Sequence, residues 1–120
     1  MYLTICIPTF NRGNFLKDTL SSIYNKINSK LDCFEVIVLD NFSNDNTFDV
    51  VNEFQQQFEN LVYKKNESNF GAAINIINCM KMANGEYIKL INDTAILEEN
   101  SIDFLIFVII ATLICFPYHR

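Results

Sequence analysis

Hydrophobic and polar positions along this chain alternate between two periods. Tyr2-Leu3-Thr4-Ile5-Cys6-Ile7 and Phe34-Glu35-Val36-Ile37-Val38-Leu39 are compact apolar runs rich in β-branched residues, the pattern of buried strands. Leu61-Val62-Tyr63 and Glu86-Tyr87-Ile88-Lys89-Leu90-Ile91 read as a third and a fourth strand, and Pro8 should stop the first. Between the runs, apolar residues recur at helical spacing. Phe15, Leu16, Leu20, Ile23, Tyr24 and Ile27 make one stripe, capped by Asn14. Phe48, Val51, Phe54 and Phe58 make a second, capped by Asp45 or Asn46. Ile74, Ile77, Met80 and Met82 make a third, starting near Phe70 or Gly71 and ended by Asn84-Gly85. Strand and helix alternate without a repeat or linker. The expected class is therefore α/β and Rossmann-like, a mostly parallel sheet of about four strands with right-handed crossovers and flanking helices.

The end of the chain departs from this rhythm. After Glu98-Glu99-Asn100-Ser101 the run from Phe104 to Phe116 has no polar face, and Pro117-Tyr118-His119-Arg120 follow. The run is too long for an ordinary strand, so a helix is expected. It is shorter than the roughly 20 apolar residues of a membrane span. An all-apolar helix needs cover on every side, and little of the chain is left to provide it. Residues 101–120 are thus expected to be a truncated or aberrant end, or a segment that meets a membrane or a protein partner. His119 falls in this tail and receives no role.

Composition narrows the classes. At 120 residues, half of them hydrophobic and 19% charged, the chain is one domain or part of one and supports a packed core. A net charge of −5 and no basic cluster beyond Lys64-Lys65 argue against a nucleic-acid partner. Cys6, Cys33, Cys79 and Cys115 are too scattered for a zinc site or a dense disulfide framework. They read as small buried hydrophobes in a reducing compartment. The start lacks the basic leader of a signal peptide.

Candidate chemistry gathers where the strands end. In an open α/β sheet, ligands bind beyond the carboxyl ends of the strands. Three loops leave such ends: Pro8-Thr9-Phe10-Asn11, Asp40 to Asn44, and Asn92 to Ala95. Asp40 either caps the following turn or accepts hydrogen bonds from a ligand's N–H or O–H groups. Phe10 either packs locally or stacks on a base or sugar. Arg12 is either solvated or meets a phosphate. Asp93 is either a cap or a ligand for a divalent cation bridging a diphosphate. Neither a Gly-rich dinucleotide fingerprint nor a Walker-type phosphate loop occurs.

Four stretches in order carry a resemblance: Thr4 to Arg12, Val36 to Thr47, Asn69-Phe70-Gly71, and Ala83-Asn84-Gly85-Glu86-Tyr87-Ile88 leading to Asn92-Asp93. Together they resemble the N-terminal half of a family 2 glycosyltransferase with the GT-A fold, over roughly residues 2–100. The resemblance implies transfer of a sugar from a nucleotide-diphosphate donor to an acceptor hydroxyl, in surface polysaccharide synthesis at the cytoplasmic face of a membrane. It places Pro8, Thr9 and Phe10 in the nucleotide pocket and gives Asp40 the base, typically uracil, of a UDP-type donor. Asp93 matches the first acid of the Asp-X-Asp motif that binds Mn²⁺ or Mg²⁺. Thr94 or Ala95 stands where the second acid belongs, which leaves the metal motif incomplete. The family's acceptor half and general base lie beyond residue 120, and Glu98 and Glu99 match nothing. Weak or absent turnover is therefore expected. Two rival readings are a non-catalytic nucleotide-binding or interaction module and a decayed reading frame.

Overall fold

The apolar run that ends at Asp40 forms β2 (Phe34–Asp40), buried along its whole length. The computed structural model describes residues 1–116 and places β1 (Leu3–Thr9) beside it in parallel, with Thr9 opposite Asp40. On its other edge β2 pairs with β3 (Leu61–Lys65), also parallel. β1 in turn pairs in parallel with β4 (Tyr87–Leu90). The sheet order is β3-β2-β1-β4, so all four strands end on one rim, as the strand–helix alternation implied.

Pro8 does not stop the first strand; it lies inside β1, opposite Leu39. Pairing of β1 with β4 runs only as far as Cys6, after which the Ile91 N–H donates to the Cys6 carbonyl. Residues of one parity face one neighbour, so Pro8, like Cys6, faces β4 just where that partner has left. A missing N–H costs nothing there.

α1 (Gly13–Tyr24) and α2 (Thr47–Gln55) cover one face of the sheet. Leu16, Leu20, Ile23 and Tyr24 of α1 and Val50 and Val51 of α2 meet Ile5, Ile7, Phe34, Val36 and Val38 in one core. Tyr24 stacks on Phe58 at 4.0 Å and donates to the Asn60 carboxamide. Asn14 does not cap α1, whereas Asp45, one of the two residues expected to cap α2, does bond at its start. Asp45, which precedes α2, accepts from the Thr47 N–H and hydroxyl, and its other oxygen accepts from the Gly13 N–H at 3.0 Å. One carboxylate thus serves both helix starts, while Asn14 only accepts from the Asn46 side chain.

α3 (Ala72–Lys81) reverses its expected polarity. Its buried residues are Asn75 and Cys79, whereas Ile74, Ile77 and Met80 face solvent. The reason is local chemistry at the sheet. Cys79 packs with Cys6, Ile37 and Leu39, and Asn75 donates to the Leu39 carbonyl at 3.0 Å. Cys6 and Cys79 are buried as expected, but Cys33 is only partly so and Cys115 is exposed; all four are free thiols.

After α3, Gly85 is required by contact rather than by a left-handed turn. A Cβ there would lie 2.7 Å from the Leu3 carbonyl carbon and the Thr4 nitrogen. The turn is held to the sheet by Glu35, 4% exposed, which accepts from the Thr4 hydroxyl and the Asn84 N–H, both at 2.7 Å. The Gly85 N–H donates to Thr4 Oγ1.

The apolar tail is a helix, α4 (Ser101–Cys115). Ile102, Ile106 and Ile109 join the core, and Phe104, Phe107, Val108 and Ile114 remain exposed. Asp103 anchors it by accepting from the Asn28 and Ser29 N–H groups. Among the described residues no helix is long and apolar enough to cross a membrane. His119 lies outside the described residues.

Candidate functional site

The loops after β1 and β2 are tied to each other before any ligand enters. The Asn11 N–H donates to Ser43 Oγ at 2.8 Å, and the Asn44 N–H donates to Asn11 Oδ1 at 2.9 Å. Both loops contain a non-glycine residue with positive φ, Asn11 at 50° and Phe42 at 76°. Asparagine tolerates that conformation; phenylalanine does not without strain, and the surrounding bonds must hold it. Phe42 is exposed, with Lys65 Nζ 5.6 Å from its ring centre.

Beyond the strand ends lies an open cavity of about 630 Å³. Pro8, Thr9, Phe10, Arg12 and Asp93, singled out from the sequence, all line it. Register explains the convergence: β1 and β4 run side by side in the same direction, so loops distant in sequence share an edge. The Thr9 hydroxyl donates to Asp93 Oδ2 at 2.8 Å, and the Thr19 hydroxyl of α1 donates to the Asp93 carbonyl at 3.0 Å.

Asp40 is placed differently. It sits on the same rim, but it has no exposed surface and does not line the cavity; its neighbour Asn41 does. Asp40 Oδ1 accepts from the Ser43 N–H at 2.8 Å, and Oδ2 accepts from the Tyr63 hydroxyl at 2.6 Å. The turn-capping role that the sequence allowed is therefore present. Burial and the bonded carboxylate together raise the Tyr63 phenol well above its ordinary range, which keeps it a donor.

A carboxamide cluster forms part of the cavity wall, and sequence reasoning did not find it. Asn66 donates to Asn41 Oδ1 at 3.0 Å and to Asn75 Oδ1 at 2.8 Å. Asn41 Oδ1 also accepts from the Phe70 N–H, while its Nδ2 donates to Asn69 Oδ1. Asn69 Oδ1 accepts the Gly71 N–H as well. Backbone groups at both ends fix the amide orientations: a carbonyl can only accept from Asn75, and N–H groups can only donate to Asn41 and Asn69. Asn41, Asn69 and Asn75 all line the cavity. The available signal was four asparagines within and beside the Asn69-Phe70-Gly71 stretch and after Asp40.

The described residues contain no group of three His, Cys, Asp or Glu side chains able to hold a metal. Among the described residues Asp93 is the one carboxylate on the cavity wall, and neighbouring Asn92 turns its Oδ1 back to the Thr94 N–H and hydroxyl. A resident metal does not fit this donor set. A Mg²⁺ or Mn²⁺ ion that arrives with a diphosphate needs only one or two protein carboxylates, and Asp93 meets that lower requirement.

An open parallel α/β sheet with its cavity at the strand ends belongs to the Rossmann-like class, and comparison with known structures narrows this to the GT-A fold. Staphylococcus aureus TarS in complex with UDP superimposes with a TM-score of 0.81 at 23% identity, over 94% of this chain and 32% of that one. The mannosyltransferase PcManGT from Pyrobaculum calidifontis, in complex with GDP-Man and Mn²⁺, gives 0.75 at 24% identity over 87% and 30%. The sequence model of Glycosyl transferase family 2 matches residues 4–106, and the chain belongs to that family. Its relatives include the abequosyltransferase RfbV of Salmonella typhimurium, 30% identical over 106 residues, 88% of this chain and 32% of that protein. The poly(ribitol-phosphate) beta-N-acetylglucosaminyltransferase TarP of Staphylococcus aureus is 30% identical over 105 residues, 86% and 31% respectively. The chain spans about a third of the length of these relatives. The match extends past the four motif stretches and into α4.

Proposed function

We propose that this chain is the nucleotide-sugar-binding part of a glycosyltransferase that builds a surface polysaccharide at the cytoplasmic face of a membrane. The observation that carries the reading is the convergence of Pro8, Thr9, Phe10, Arg12 and Asp93 on one cavity beyond the strand ends. Phe10 is 42% exposed there and offers a ring face to a base or sugar. Arg12 supplies a cation for the diphosphate. Asp93, steadied by the Thr9 hydroxyl, would be the carboxylate to hold a divalent cation that arrives with the diphosphate. That cation, when bound, offsets charge on the departing diphosphate. Asp40, the expected base acceptor, has no exposed surface and stays outside the cavity, where its neighbour Asn41 lines the wall at the end of β2. UDP is the donor diphosphate that the family resemblance implies, and the solved structure of TarS in complex with UDP supports that choice.

An inverting transfer also needs a group to deprotonate the acceptor hydroxyl. No cavity residue here is suited to that, so the isolated chain is expected to bind donor without transferring sugar. The test is calorimetric titration with UDP, with and without Mn²⁺. Binding strengthened by Mn²⁺ is expected. Asp93→Ala should weaken it only when Mn²⁺ is present. Absence of binding in both conditions would remove the donor-site reading, and sugar transfer by the isolated chain would overturn the expected inactivity.

A further inference from the structure

The core claims one side of α4 and leaves another bare. Ile102, Ile106 and Ile109 are buried, whereas Phe104, Phe107, Val108, Ile114 and Phe116 are 41–73% exposed. At about 3.6 residues per turn, Phe104, Phe107, Val108, Ala111, Ile114 and Cys115 fall within about a third of the helix circumference, with Ala111 at its middle. The stripe they form contains no ionised group. Polar residues at its borders are already satisfied: the Thr112 hydroxyl donates to the Val108 carbonyl at 2.8 Å, and Asp103 accepts from the Asn28 and Ser29 N–H groups. Covering the stripe therefore strands neither of them.

We propose that α4 is a homodimerisation helix: two copies of this chain pack their α4 stripes antiparallel, about a two-fold axis at the level of Ile109. A lipid surface is a poor match, because a helix lying on one carries lysine or arginine along its polar edge. Residues 101–116 carry neither, and their one charge is that of Asp103. The stripe does match itself. Phe107 and Ala111 are one turn apart, so an antiparallel copy centred between them sets each Phe107 ring against the small Ala111 of the other, and Phe104 against Ile114. A shallow depression of about 440 Å³, lined by Asn28, Ser29, Asn100, Asp103 and Phe104, lies where the end of the opposing helix arrives. The area is also sufficient. At about 150–250 Å² for each aromatic side chain, the five exposed residues present roughly 450–650 Å² per copy. Two copies bury roughly 900–1,300 Å², against the ~1,000 Å² that a specific interface needs. The match to the family's sequence model stops at residue 106, so the stripe from Phe107 onward lies past it. The dimer is independent of the donor-site reading, since no residue of α4 lines that cavity.

The experiment is sedimentation equilibrium of the full chain in detergent-free buffer. The intact chain should sediment as a dimer. Phe107→Lys should raise the dimer dissociation constant about a hundredfold or more, because the two-fold axis buries the new charge twice. Ile77→Lys, at an exposed apolar position on α3, should leave the dimer unchanged. A monomeric intact chain overturns the proposal, whether it stays in solution or floats with phosphatidylcholine or phosphatidylglycerol vesicles. So does a dimer that Ile77→Lys breaks and Phe107→Lys does not. Direction is read by oxidation with copper phenanthroline. Val108→Cys should cross-link, since position 108 lies beside the axis, and the intact chain should not, since the two Cys115 thiols lie near opposite ends of the helix pair. A Cys115 cross-link refutes antiparallel packing. Should Phe107→Lys fail to fold, the urea midpoint of the intact chain decides: it should rise with chain concentration, and a concentration-independent midpoint refutes the dimer.

Discussion

Removing the Asp45 carboxylate tests how the rim is held together. Asp45 accepts from Thr47 at the start of α2 and from Gly13 at the start of α1, so Asp45→Ala uncaps two helices at once. A lost N-cap costs about 1 kcal/mol, which gives about 2 kcal/mol for the pair. The side chain is exposed, so water replaces the lost partners and no further penalty for a buried orphan is due. For a domain of this size that corresponds to roughly 8 °C in Tm. The pH dependence has a definite sign. Partial desolvation pushes the Asp45 carboxyl up, but the bonds from Thr47 and Gly13 outweigh it and hold the folded value below the ordinary carboxylate range. A depressed folded pKa contributes stability above the unfolded value, about 3.9, and that contribution is lost as pH falls through the folded value. The gap between wild type and Asp45→Ala should therefore be full at pH 7 and shrink below about pH 4. Urea unfolding of both chains from pH 7 to pH 3 measures it. A difference within 0.5 kcal/mol at pH 7, or one that grows on acidification, would refute the two-helix cap.

Two further substitutions probe features that the apolar pattern alone misassigned. Gly85→Ala should destabilise by about 1–3 kcal/mol, because the new methyl meets β1 backbone at 2.7 Å and neither strand can shift freely; the urea midpoint reports it. Ile77→Lys on α3 should change stability by no more than about 0.5 kcal/mol, since the side chain is 50% exposed, whereas a core isoleucine there would cost several times as much.

The legible parts of this chain were those governed by burial along a strand. The run from Phe34 to Asp40 has polar residues only at Glu35 and at its end, and β2 follows it to the residue. Strand direction then followed from the alternation, and direction alone brought the β1 and β4 loops together. What failed was inference from apolar spacing where a polar contact decides orientation. The Ile74-Ile77-Met80 stripe has helical period, yet Asn75 turns α3 the other way by reaching the Leu39 carbonyl. An isolated sequence does not show that one carboxamide has a buried acceptor waiting for it. The cap of α1 failed for a related reason, while Asp45 serves α2 as one of its two expected caps: Asn14 had the right type and place, but the Gly13 N–H found Asp45 across the rim, 32 residues away. The carboxamide wall was invisible because asparagines before a helix read as ordinary turn residues.

The charge on the cavity wall bears on which ligand parts the chain recognises by itself. Arg12 and Asp93 are its two ionised side chains and their formal charges cancel; the other polar groups are carboxamides and a hydroxyl. Such a wall suits the neutral parts of a nucleotide sugar, where carbonyls and hydroxyls exchange hydrogen bonds with amides at little desolvation cost. It is poorly matched to a diphosphate, whose charge needs a compensating cation close by. Lys64 and Lys65 do not fill the gap, because they lie at the end of β3 and Lys65 is turned over the Phe42 ring. With a chain net charge of −5, the wider field does not fill it either. Under the proposed function, a divalent ion carried by the diphosphate would supply the missing charge at Asp93, the one carboxylate that the described residues place on the wall. By the same arithmetic a single acid of the metal motif is enough for the proposed binding, because the cation would come with the ligand instead of residing in the chain.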